Sequence, residues 1–177
     1  MIISTEYISA PKSGEYEERI FDIESPWNTS EWTWIKFEED YGKIWVGQFR
    51  GEFTACGISV KHGIAVIITS MYICFIDLNS KEMIDYGDGR LYKDIYQTVY
   101  GDILLSDGFS LSVVNGNTID SIKDIELPIK ADFLKFDSYS GNLLRLTCEE
   151  VCNWDESYEI FLDCKTLSIT KWRMNNG

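Results

Sequence analysis

Ile58-Ser-Val-Lys-His-Gly-Ile-Ala-Val-Ile-Ile68 runs on through Met71-Tyr-Ile-Cys-Phe-Ile-Asp77 to Lys81-Glu-Met-Ile-Asp85. The apolar run from Ile64 to Ile68 is continuous and rich in β-branched residues, as a strand buried on both faces should be. The residues that interrupt it are turn formers, Lys61-His62-Gly63 before and Leu78-Asn79-Ser80 after. The same arrangement recurs downstream. Tyr96-Gln-Thr-Val-Tyr-Gly-Asp-Ile-Leu-Leu105 leads through Phe109-Ser-Leu-Ser-Val-Val114 to Asn117-Thr-Ile-Asp-Ser-Ile122. Phe133-Leu-Lys-Phe-Asp-Ser-Tyr-Ser-Gly-Asn-Leu-Leu144 leads through Tyr158-Glu-Ile-Phe-Leu-Asp163 to Leu167-Ser-Ile-Thr-Lys-Trp172.

The turn before the second strand of each unit ends at Gly63, Gly101 and Gly141, which are 38 and 40 residues apart. A period near forty with four short strands per unit is the pattern of propeller blades. The chain is therefore read as one all-β domain spanning residues 1–177. It is built of stacked antiparallel four-stranded sheets and resembles a small or partial β-propeller. A β-sandwich is the alternative, since any all-β chain with strands every eight to twelve residues shows some self-similarity. Residues 1–55 then either supply a further, degenerate unit or close the structure differently. The third unit reads as carrying an insertion over residues 148–156. Ser25-Pro26 predicts one short helix over residues 27–32, because Pro suits a first helical position.

Charge narrows the function. The chain has 29 acidic residues against 16 basic ones, a net charge of −13. Phosphate binding requires Lys and Arg, so direct nucleic-acid binding is excluded, and an anionic membrane surface is disfavoured for the same reason. No apolar stretch is long enough to span a bilayer. The N-terminus lacks the basic start and long apolar core of a signal peptide, which predicts a cytoplasmic protein. Five cysteines (Cys56, Cys74, Cys148, Cys152 and Cys164), odd in number and mostly inside apolar runs, read as reduced thiols.

No catalytic, cofactor or metal motif is legible. Cys148 and Cys152 are spaced C-x3-C, but zinc needs four ligands and the other cysteines and His62 lie far away. His62, the single histidine, sits in a tight turn and reads as a solvated residue. Gly87-Asp-Gly-Arg lacks the Lys-Ser/Thr of a P-loop and reads as a polar connection. The chain is predicted not to be an enzyme and to need no cofactor. A glycoside hydrolase using paired carboxylates is the enzymatic alternative, because such catalysis needs only two acids.

Three segments mix acids with aromatics. The first runs from Trp32 to Tyr41 and offers Glu38, Glu39, Asp40 and Tyr41, with Trp32, Trp34 and Trp45 read as core residues. The second offers Asp85, Tyr86 and Asp88. The third, in the insertion, offers Glu149, Glu150, Trp154, Asp155 and Glu156. Rings beside carboxylates make anchors for a basic protein, the rings burying area while the acids meet Lys or Arg.

A small, strongly acidic chain without a catalytic motif resembles the bacterial immunity proteins of contact-dependent growth inhibition and related polymorphic toxin systems. Trp32-Thr-Trp-Ile-Lys-Phe-Glu-Glu-Asp-Tyr-Gly-Lys-Ile-Trp-Val-Gly-Gln-Phe-Arg-Gly51 is the segment that carries this resemblance. It implies a cationic toxin domain as partner, such as a nuclease, whose phosphate-attracting site an acidic surface would cover. A non-catalytic, propeller-like ligand-binding or protein-binding module is the alternative from another class.

Overall fold

The computed structural model describes residues 1–174, with side chains at all of them except residues 153–156, 171, 172 and 174. The chain forms β1 (Ile2–Ile8), β2 (Glu17–Phe21), β3 (Trp32–Glu39), β4 (Ile44–Arg50), β5 (Phe53–Ser59), β6 (Ile64–Thr69), β7 (Tyr72–Asp77) and β8 (Met83–Asp88). It continues with β9 (Asp94–Gln97), β10 (Ile103–Ser106), β11 (Leu111–Val114), β12 (Ile122–Ile125), β13 (Ala131–Ser140), β14 (Leu143–Glu150), β15 (Asn153–Asp163) and β16 (Ser168–Met174). Three sheets are simple meanders, β5-β6-β7-β8, β9-β10-β11-β12 and β13-β14-β15-β16. The first has the order β1-β3-β4-β2, with β2 parallel to β4.

The four sheets stack in chain order. Phe37, Trp45 and Phe49 of the first sheet meet Ile58, Ile67 and Cys74 of the second. The opposite face of the second, with Val66, Ile68 and Phe75, meets Ile103, Leu105 and Val114 of the third. Leu104, Leu111 and Val113 of the third then meet Leu146, Ile160 and Leu162 of the fourth. Among the described residues each core cluster joins neighbouring sheets only, so the row of sheets is an open stack.

Burial follows from position in the stack. All six residues of β6 and all four of β10 and of β11 are buried, because these strands have a sheet on either side. In β3 burial alternates, as it must where one face meets solvent. Each fully buried Ile of β6 contributes about 1.5–3 kcal/mol by removal from water. Gly63, Gly101 and Gly141, the repeated turn glycines, have φ of 69°, 83° and 65°, a region a side chain disfavours.

Three local expectations are corrected. Residues 27–32 form no helix: Pro26 and Trp27 make a turn and Trp32 begins β3. In β3 the buried residues are Thr33, Ile35, Phe37 and Glu39, so Trp32 and Trp34 lie on the other, half-buried face, and only Trp45 of the three tryptophans is core. The reason is register: Phe37 stacks on Trp45 with centroids 4.2 Å apart, and the period of two sends Trp32 and Trp34 outward. Residues 148–156 are not an inserted loop. Glu149 pairs with Ser157 and Glu150 with Asn153, so the extra residues form an irregularity within the β14–β15 ladder.

The connections give the stack two distinct ends. All three passages from sheet to sheet, from Arg50 to Phe53, from Asp88 to Asp94 and from Ile125 to Ala131, lie at one end with the β6–β7, β10–β11 and β14–β15 turns. The β3–β4, β5–β6, β7–β8, β9–β10 and β13–β14 turns lie at the other. We call these the crossover end and the hairpin end. No helix of the described residues is long and apolar enough to cross a membrane.

Candidate functional site

The crossover end is built around a clamped loop. Arg50, the last residue of β4, donates from Nε and Nη2 to the two carboxylate oxygens of Asp22 at 2.9 and 2.8 Å. Its guanidinium carbon lies 3.7 Å from the centroid of the Trp32 ring, and Nη1 donates to the Thr29 carbonyl at 3.3 Å. The Arg50 guanidinium holds the Asp22 carboxyl below its ordinary value. Asn28 donates to the Ile23 carbonyl at 2.6 Å and accepts from the Tyr72 hydroxyl at 2.6 Å. These bonds pin residues 22–31 at both flanks and leave Trp27 at the tip, 84% exposed.

Opposite Trp27 stand Tyr72 and Tyr86, edge to face with centroids 6.2 Å apart. Tyr86 is 48% exposed. Asp88 ends β8 and caps the short 3-10 turn Gly89–Leu91 by accepting from the Arg90 amide at 3.0 Å. It also accepts from the Arg90 side chain, Nη2 at 2.6 Å, and this guanidinium holds the Asp88 carboxyl below its ordinary value. Gly89 is required there: a Cβ would stand 2.3 Å from the Tyr72 carbonyl carbon. The result is a notch of about 350 Å³ whose walls include Trp27, Met71, Tyr72, Tyr86, Asp88 and Arg90. It adjoins a wider, polar hollow of about 630 Å³ over Asp22, Glu24 and Arg50, the two sharing Ser25.

A second notch of about 340 Å³ opens at the same end between the third and fourth sheets. Phe109 and Phe133, 50% and 42% exposed, line it with Asp94 and Asp132. The Leu134 amide donates to the Gly108 carbonyl at 2.7 Å, which brings the β10–β11 turn against β13. Lys93 Nζ lies 4.8 Å from the centroid of the Phe109 ring. Partial burial raises the Asp94 carboxyl above its ordinary value.

The three predicted segments are separated by this geometry. Asp85, Tyr86 and Asp88 lie on β8, whose end forms the first notch. Asp85 itself is turned toward the third sheet, accepting from the Ile119 amide at 2.8 Å. Glu149 and Glu150 reach the crossover end on β14, and Glu150 accepts from the Tyr158 hydroxyl at 3.2 Å. The side chains of Trp154, Asp155 and Glu156 lie outside the described residues. Glu38, Glu39, Asp40 and Tyr41 stand at the hairpin end. Glu39 is buried and accepts from Lys81 Nζ at 2.7 Å, Asp40 accepts from the N-terminal amine at 3.0 Å, and Glu38 accepts from Ser4 Oγ at 3.4 Å. Tyr41, 92% exposed, projects from the turn.

Sequence reasoning missed Trp27, Phe109 and Phe133. Trp27 stands in a polar, turn-forming context, whereas Phe109 continues the alternation of Leu111 and Val113 and Phe133 lies within β13, so nothing local separates those two from buried rings. His62 also differs from its expectation as a freely solvated turn residue. Its side chain is only 15% exposed, with Nε2 3.8 Å from Asp102, a buried carboxylate that Lys61 Nζ reaches at 2.7 Å. Packing of the β5–β6 turn against the β9–β10 turn encloses the ring. Among the described residues no cluster of three or more His, Cys, Asp or Glu is placed to hold a metal ion. Cys148 is buried in the fourth sheet, its thiol pushed up to about 11 by burial, and takes no part in either notch. The sequence matches no protein-family model and no curated protein.

Proposed function

We propose that this is an immunity protein that binds and neutralises a cationic toxin domain, a nuclease in the simplest case, in the cytoplasm of the cell that makes it. The observation that carries this reading is the meeting, at the crossover end, of four exposed rings with carboxylates on a chain of net charge −13: Trp27, Tyr86, Phe109 and Phe133 beside Glu24, Asp88, Asp94 and Asp132. Exposed rings on a clamped scaffold supply contact area at small entropic cost, and hot spots of protein interfaces are enriched in them. The excess negative charge attracts a basic domain over distance and raises the association rate.

The experiment pairs the chain with a basic nuclease domain encoded beside its gene. Co-expression is expected to rescue growth, and titration is expected to abolish nuclease activity at one-to-one stoichiometry. The association rate should fall at least about tenfold between low and high salt, because steering is screened beyond a Debye length of about 8 Å at physiological ionic strength. A nuclease that stays fully active in a stoichiometric excess of the chain, at any salt, overturns the reading.

A further inference from the structure

We propose that the notch between Trp27, Tyr72 and Tyr86 seats one arginine side chain of the partner, with Asp88 as its carboxylate and Arg90 as the internal group it displaces. This rests on the reading of the protein as a binder of a basic partner and adds the residue that enters and the place it enters.

The molecule already contains a filled version of this site. One layer away, Arg50 lies on the Trp32 ring at 3.7 Å and is gripped by both oxygens of Asp22. That arrangement combines a stacked guanidinium with a two-point carboxylate bond, the pairing in which Arg surpasses Lys. The notch supplies the same parts, aromatic rings beside a carboxylate. Trp27 and Tyr86 present 84% and 48% of their surface, and Asp88 stands at the rim. Arg90 occupies Asp88 with its Nε at 2.9 Å and Nη2 at 2.6 Å, but its side chain is 71% exposed. The Arg90 side chain ends in solvent and leaves the Trp27 and Tyr86 rings exposed, so an incoming guanidinium that keeps the two-point bond to Asp88 and adds ring contact can replace it. A volume of about 350 Å³ suits one long side chain rather than a folded element. The charge complementarity is local as well as global, since Glu24 lies in the adjoining hollow.

The test uses the intact protein and a blocked Gly-Arg-Gly peptide, with its citrulline analogue as the neutral control, followed by NMR of the Trp indole and Tyr ring signals at low salt. The arginine peptide is expected to shift the Trp27 and Tyr86 signals and to bind at least about fivefold more tightly than the citrulline peptide. Trp27→Ala and Asp88→Asn should each weaken binding about fivefold, and Arg90→Gln should tighten it about threefold by vacating Asp88. Equal binding of both peptides, shifts confined to other residues, or no gain in Arg90→Gln overturns the proposal. Trp27 is exposed, so its variant keeps the fold, and the thermal midpoint checks this. The two readings fail separately. A toxin domain bound equally well by wild type and Trp27→Ala removes the notch and leaves the immunity reading standing. A notch that takes arginine on a protein that neutralises no toxin does the reverse.

Discussion

At the hairpin end several carboxylates are bonded to lysines or to the amides of their own turns, whereas at the crossover end several stand beside exposed rings. Glu39 is held by Lys81 and Asp102 by Lys61, and Asp77 and Asp163 accept from the amides of their own turns. The crossover end has clamps of its own, Asp22 with Arg50 and Asp88 with Arg90, but they border hollows rather than fill them. The difference comes from what the connections join. A hairpin turn must close two adjacent strands and consumes its polar groups doing so, while a passage from one sheet to the next must travel outward and leaves space between layers. Asp107 of the β10–β11 turn is used in the same way at the crossover end, accepting from the Phe109 and Ser110 amides, so the contrast lies in the acids that flank the passages, Asp88 and Asp94, which border the notches.

The comparison is broken most severely by Gly89→Ala. Its Cβ would meet the Tyr72 backbone at 2.3 Å and the Thr69 carbonyl at 2.7 Å, so the crossover must shift. The expected cost is about 3 kcal/mol, read from urea unfolding. Gly42→Ala at the hairpin end has φ of +74° but open space around the new Cβ, and should cost only about 1 kcal/mol. Equal losses at the two sites would contradict this account of the two ends.

Next in size is Lys81→Met, which leaves Glu39 buried without its partner and is expected to cost about 2 kcal/mol. The double variant with Glu39→Gln should recover part of that loss, because no uncompensated charge remains; a double variant as unstable as the single one would show that Lys81 acts through packing alone.

The functional contrast comes third. Trp27→Ala and Tyr41→Ala remove exposed rings from opposite ends and should each leave stability within about 0.5 kcal/mol of wild type. Affinity for the neutralised domain should fall about tenfold or more for Trp27→Ala and stay within about twofold for Tyr41→Ala, as calorimetry would measure. The reverse ranking would move the contact surface to the hairpin end.

The smallest effect is in pH dependence. The Asp77 and Asp163 carboxyls are held below the ordinary 3.8 by amides of Ser80 and Thr166, and Asp88 by Arg90. Their pKa values are lower folded than unfolded, so the stability they contribute is present above about pH 4 and lost as pH falls through the folded values. Asp94 has the opposite sign: burial raises its pKa, so its ionised form opposes folding at neutral pH and protonation relieves that. Thermal midpoints should be flat between about pH 6 and 8 and fall below about pH 4. Asp77→Asn should flatten the acid limb, while Asp94→Asn should raise the neutral plateau slightly and so deepen that limb.

Much of the fold was legible because strand signals are local. Ile64 to Ile68 predicts its own double-sided burial, and Gly63, Gly101 and Gly141 mark turns because few other residues tolerate their φ. Residues 32–39 show where this fails: the alternation was plain, but which phase faces inward depends on the ring that Phe37 meets on β4. The extra residues after Cys148 are visible in the sequence but their placement is not, since a ladder irregularity and a loop have the same length in sequence. Of the candidate site, Tyr86 and Asp88 were found from composition. Trp27 was not, because its exposure follows from bonds made by Asn28 and Arg50 to partners up to 44 residues away.

The sequence by itself determined the all-β class, the period near forty, the turn positions and the negative charge, all of which follow from residue type and spacing. Tertiary structure decided which acids are consumed and which face solvent, and which end gathers the exposed rings. Those outcomes depend on the stacking order of the sheets and the side on which the chain crosses between them, and both are properties of contacts between residues far apart in the chain.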